Sequence, residues 1–225
     1  MTPTRRSSVS SSSTAPSPTE PGVSVEQGTG PHQEVPGLRL HWIPLGAGER
    51  VVRRSGRIYE RMSAAVGRRA PCDLYHSALV LTTTQGTCSV EIAPTPGPDG
   101  RSARGVVASG PVGLRWLGRF RLFRYEVRCW WGGEIPDLAF AVGEPALMTD
   151  DPLSWERVLE MLPEVPTPTW GRDELDLGEM WNSNSVISWV LTAAGLADVA
   201  GGPPPGGRAP GWDAGATAAR RRGSV

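Results

Sequence analysis

The sequence predicts an α+β domain in which an antiparallel sheet packs on one buried helix. Three observations point there. Short strand-like runs punctuated by turn residues fill the first half of the chain, two of them joined by a hairpin. Helical patterns follow the strands and do not alternate with them. One of those helices, from Val186 to Leu191, is apolar almost all round and so must be buried.

Taken in order, residues 1–36 are rich in Ser, Thr, Pro and Gly, with little to bury, and read as a disordered arm. Leu38 to Leu45 alternates as a strand that Pro44 stops. Ser55 is placed to cap a helix from Gly56 to Val66. Asp73 to Thr82 is a strongly apolar strand of sheet-interior type. A turn at Thr83–Gly86 returns the chain as Thr87–Ala93. Pro94 to Arg101 is a loop, Gly105–Ala108 a short strand and Phe120–Trp130 a longer one.

Asp151-Pro152 opens a helix as N-cap and first residue, with Leu153, Val158, Leu159 and Leu162 as its core face. A Pro/Gly-rich crossing, Val165–Gly178, leads to the apolar helix. Asn182, Ser183, Asn184 and Ser185 are all N-cap types, and Gly195 suits a left-handed C-terminal stop. Residues 37–200 are therefore expected to form one domain. Residues 201–225 read as a mostly flexible Gly/Pro/Arg tail, with an edge strand at Gly211–Ala219 as the one ordered option.

Twenty-three basic residues, every one an arginine, balance 23 acidic ones. That zero net charge gives no general electrostatic reason to expect nucleic acid or an anionic membrane as partner. Three cysteines, Cys72, Cys88 and Cys129, form no metal-ligand spacing and no disulfide framework. Without an apolar leader or a long apolar run, a cytoplasmic location is expected. Arg119, Arg121, Arg124 and Arg128 lie among aromatics, but strand parity would split them over two faces of a half-exposed sheet. Asp150-Asp151 reads as a helix cap, and Asp173-Glu174-Asp176 lies in a loop with no nearby histidine, so neither carboxylate group points to a metal.

Of three histidines, His32 falls in the arm and His41 has no partner motif; His76 stands at the start of the most apolar strand. Tyr75-His76-Ser77 there, and Trp181-Asn182-Ser183-Asn184-Ser185-Val186 at the start of the buried helix, together resemble the circularly permuted papain-like hydrolases. PPPDE peptidases and lecithin–retinol acyltransferase-like proteins belong to that group. The resemblance covers Asp73–Ala93 and Met180–Ala194. It implies a circularly permuted papain-like arrangement, with His76 as general base and Ser183 where the family has its nucleophilic cysteine. Such a site would cleave or transfer an acyl group at an amide, peptide or ester bond, without a cofactor. Asn182, Asn184 and Ser185 would support it. Glu91 would orient His76 if Leu81 faces Cys88 across the hairpin, which puts Glu91 on the His76 face.

A hydroxyl needs a better-placed base than a thiol does. The alternative is therefore an inactive papain-like module that binds a peptide, a protein or an acylated small molecule. Capping alone also accounts for Ser183, and Ser185 is equally placed for either part.

Overall fold

The structure is a computed structural model that describes residues 35–47, 60, 64–65, 67–95, 105–133 and 135–223. The predicted arm thus falls outside the described residues except at Val35 and Pro36. The helix expected over Gly56–Val66 is represented only by Glu60, Ala64 and Ala65, each helical.

Among the described residues the fold is α+β around a six-stranded antiparallel sheet. Its strands are β1 (Gly37–Pro44), β2 (Tyr75–Thr83), β3 (Gly86–Thr95), β4 (Val106–Pro111), β5 (Arg124–Trp131) and β6 (Ala146–Thr149). They lie in the order β4-β5-β3-β2-β1-β6. The β2–β3 hairpin keeps the register the turn residues suggest, with Leu81 opposite Cys88. Because successive side chains alternate between faces, the sheet carries two cores. Leu79 and Leu81 join Leu38, Leu40 and the helices in the larger one. Ala78 and Val80 join Ile43 and Ile135 in a smaller one on the other face.

Two strand expectations need correction. Strand β5 begins at Arg124, since Arg115–Arg119 and Arg121–Phe123 are separate 3-10 turns that bury no side chain. Arg124 holds those turns in place, donating to the Gly118 carbonyl at 3.2 Å and to Ser109 Oγ at 3.0 Å. Strand β6 was not anticipated. Its four residues are too few for an alternation to register, and it is specified by pairing with β1.

The helices among the described residues are α1 (Pro152–Met161), α2 (Ser183–Ala193), α3 (Ala197–Ala200) and α4 (Trp212–Gly223). Helix α1 starts as expected, with Asp151 accepting from the Ser154 amide and Pro152 at the first turn. Its face differs from the expected one: Val158 and Leu162 are buried, but Leu153 is 76% exposed. Five residues separate Leu153 from Val158, which turns it roughly 140° away at about 100° per residue.

Helix α2 is the centre of the larger core. Val186, Ile187, Trp189, Val190 and Leu191 are all fully buried, each stabilising the fold by about 1.5–3 kcal/mol. Asn182 and Ser185 form a reciprocal capping box at its start. At its end Gly195 has φ of +84°. The Gly195 amide donates to Thr192 and the Leu196 amide to Leu191, a Schellman stop.

The largest correction concerns residues 201–223. They are no flexible tail, and the stretch expected as an edge strand is helical: α4 packs along α2, with Ala214, Gly215, Ala216 and Ala219 buried. Gly and Pro content suggests a loose tail, but small residues also let two helices approach closely. A Cβ added at Gly215 would lie 2.1 Å from the Ser185 carbonyl oxygen, so only glycine fits there. Arg222 lies over the Trp189 ring at 5.3 Å. The folded unit therefore runs on to residue 223, beyond the boundary expected at 200.

Candidate functional site

The two motifs behind the hydrolase resemblance do meet, though through residues other than the expected pair. Ser77 Oγ donates to Asn184 Oδ1 at 2.9 Å. The Asn184 amide group donates in turn to the carbonyls of Tyr75 and Pro210, at 3.0 Å each. Two carbonyls can only be served by the NH₂ end, which fixes the side chain's orientation. Asn184 is 3% exposed, and its bonds to Ser77 and Pro210 are buried while that to Tyr75 is partly so.

His76 has the opposite parity from Ser77 and lies on the other face, with Ala78 and Val80. Its Nε2 is 2.8 Å from Asp137 Oδ2. Ser183 and His76 are therefore served by different faces of the sheet, and no hydrogen bond joins them among the described residues. The Ser183 side chain is half-buried at the first position of α2.

The carboxylate beside His76 is that of Asp137, where Glu91 was expected. Glu91 does share the His76 face, but its near partner is Arg128, at 3.8 Å. Arg128 itself bonds to Glu126 at 3.0 and 3.2 Å. Burial pushes the Asp137 carboxyl up, and the hydrogen bond and charge of His76 outweigh it, leaving Asp137 below its ordinary range. Burial pushes Glu91 up, with the Asp137 charge adding to it and Arg128 opposing. Nothing in the sequence links Asp137 to His76. It lies in a Gly/Pro loop 61 positions on, and only the folding of that loop over the sheet brings the two together.

The positive end of α2 is filled by the chain itself. Asn182 Oδ1 accepts from the amides of Asn184 and Ser185, the donors an oxyanion hole would need. Ser185 Oγ accepts from the Asn182 amide at 3.1 Å. Asn182 Nδ2 reaches the Pro210 carbonyl at 2.8 Å. Glu179 accepts from the Gly211 amide at 2.8 Å. A Cβ at Gly211 would lie 2.6 Å from both Asn182 Oδ1 and Ser185 Oγ. The supporting residues expected at a catalytic centre are thus engaged in holding α4 over α2.

Beside this junction, where Arg208 pairs with Leu74 ahead of β2, Glu60 is 3% exposed. It accepts from both terminal nitrogens of Arg69 and from the Cys72 amide. The Arg69 hydrogen bond, acting against burial and helped by Cys72, draws its carboxyl down to about 2. Elsewhere, Cys88 and Cys129 on adjacent strands place their sulfurs 3.2 Å apart. Among the described residues, no cluster of three or more His, Cys, Asp or Glu side chains is placed to hold a metal ion. Nor is any helix among them long and apolar enough to cross a membrane.

A cleft of about 490 Å³ opens at the end of β4, between the first 3-10 turn and the Pro166–Leu175 crossing. Arg115 and Arg124 form one side; Pro166, Pro168 and Glu174 form the other. Hydrogen bonds from Thr169 hold Glu174 in place and keep its carboxyl below the usual range.

Fold and site together define an α+β protein whose buried helix is capped, roofed over and joined to the sheet through Asn184. Set against known protein families, characterised proteins and solved structures, the chain matches none of them.

Proposed function

We propose that this chain is an interaction module on a permuted papain-like plan, without hydrolytic chemistry at Ser183. The bond between Ser77 and Asn184 supports the papain-like arrangement, because it joins the two motifs that carry the resemblance. The observation that carries the non-catalytic reading is the filled first turn of α2. Its amides are spent on Asn182, Gly211 and Gly215 sit on it, and His76 serves the opposite face. A ligand has room instead in the cleft at Arg115 and Arg124, where prolines supply apolar walls and guanidinium groups supply direction. An extended peptide bearing a carboxylate fits that mixture best.

Two measurements test this. A serine-reactive fluorophosphonate should label the protein no more than it labels the Ser183→Ala variant. Peptide-library selection on the immobilised protein should enrich acidic sequences that no longer bind Arg115→Glu. Labelling that depends on both Ser183 and His76 would refute the first half; no enrichment would refute the second.

One observation favours a hydrolytic reading at amide, peptide or ester bonds. The His76–Asp137 pair is an imidazole held by a carboxylate, as a general base requires. On that reading, labelling would fall with Asp137→Asn as well as with His76→Ala.

A further inference from the structure

Residues Leu114 to Arg124 read Leu-Arg-Trp-Leu-Gly-Arg-Phe-Arg-Leu-Phe-Arg, and no Asp or Glu occurs from Gly105 to Tyr125. In the fold this run forms the two 3-10 turns before β5, neither of which buries a side chain. Leu122 is 68% exposed and Trp116 58%, and Leu114, Phe120 and Phe123 are exposed too. Arg119 lies over both the Trp116 and Phe120 rings, at 5.4 and 4.8 Å. A zero net charge averages over the chain and hides this local excess. As turns rather than strand, Arg119 and Arg121 are freed from the parity that would have put them on sheet faces.

We propose that this segment docks on the surface of an anionic lipid bilayer. Apolar side chains on two solvent-facing turns need a medium that receives them without a preformed pocket, which the headgroup–acyl boundary provides. The interleaved guanidinium groups need phosphate or carboxylate at the same level, which anionic headgroups provide. Single-stranded nucleic acid would meet the arginines and stack on Trp116 and Phe120. It would leave Leu122 and Leu114, which have no ring face, against water. The most exposed apolar residue of the segment therefore decides for the bilayer.

The inference does not depend on the cleft, and its test avoids Arg115 and Arg124. Flotation of the full chain with phosphatidylcholine vesicles containing about a third phosphatidylserine should show binding, and pure phosphatidylcholine vesicles should show much less. Arg119→Ala with Arg121→Ala should weaken binding about thirtyfold, at about 1 kcal/mol per arginine. Phe120→Ser with Leu122→Ser should abolish it while circular dichroism stays unchanged. Folded protein that ignores anionic vesicles, or binds neutral ones equally, overturns the proposal. So does binding that survives both double variants. Tighter binding to an oligouridylate than to vesicles also overturns it and assigns the surface to nucleic acid. None of these results bears on peptide binding by the cleft.

Discussion

Asn184 is the residue whose replacement tests the architecture most sharply. It is buried and makes three hydrogen bonds, one to Ser77 on β2, one to the Tyr75 carbonyl and one to the Pro210 carbonyl. Asn184→Ala leaves the Tyr75 carbonyl and the Ser77 hydroxyl without their partner, while the Pro210 carbonyl keeps the Asn182 side chain. At about 1 kcal/mol per bond, with the desolvation of the stranded groups added, the cost should be about 3–5 kcal/mol. A domain of this size loses roughly 2–4 °C of Tm per kcal/mol, so melting should fall by roughly 6–20 °C. Asn184→Asp should be at least as damaging, because a carboxylate oxygen would then face two carbonyl oxygens at the distance of a hydrogen bond. Ser77→Ala alone should cost about 1 kcal/mol, and almost nothing more in the Asn184→Ala background, giving a coupling of about 1 kcal/mol in the double-mutant cycle. Urea titration followed by tryptophan fluorescence reads the parent and all four variants, since Trp181 and Trp189 are buried near this junction. Should Asn184→Asp melt like the parent, or the cycle show no coupling, the link between helix and sheet drawn here would be wrong.

Three further outcomes are expected. The Glu60 carboxyl is held at about 2 against an ordinary 4.5, so the stability it contributes is complete above about pH 4.5. It is lost as pH falls toward 2, and the urea midpoints of parent and Glu60→Gln should differ at pH 6 and converge near pH 2. Gly215→Val should destabilise by several kcal/mol, on the order of 3 or more, because its first side-chain carbon already meets the Ser185 backbone; melting temperature checks this. Diamide, which accepts the two hydrogens, should convert Cys88 and Cys129 to a disulfide; thiol titration after denaturation would then find Cys72 alone.

What was legible in the sequence was local. A polar cap within Asn182–Ser185, the Gly195 stop, the Asp151-Pro152 start and the Thr83–Gly86 hairpin turn all depend on residues within a few positions of one another, and the structure has each of them. What was not legible depends on long-range company. Strand β6 exists because β1 has an open edge. Phe120 and Leu122 look like strand residues, yet the chain folds into turns before Arg124. The small residues from Gly211 on suggest a flexible tail or at most an edge strand, while their use is to let Gly211 and Gly215 lie against α2. The candidate site divides in the same way. Side-chain types at the helix start were readable, but which face His76 would take was settled by Ser77 bonding to Asn184 and by the loop that brings Asp137.

The order in which this chain is made bears on the same closure. Helix α4 is made after the helix it covers, with some twenty residues between them. Until that stretch has left the ribosome, the Ser185 and Trp189 flank of α2 stays bare. Every nascent copy thus passes through a stage with its central helix uncovered, and the emergence of α4 is the event that completes the interior.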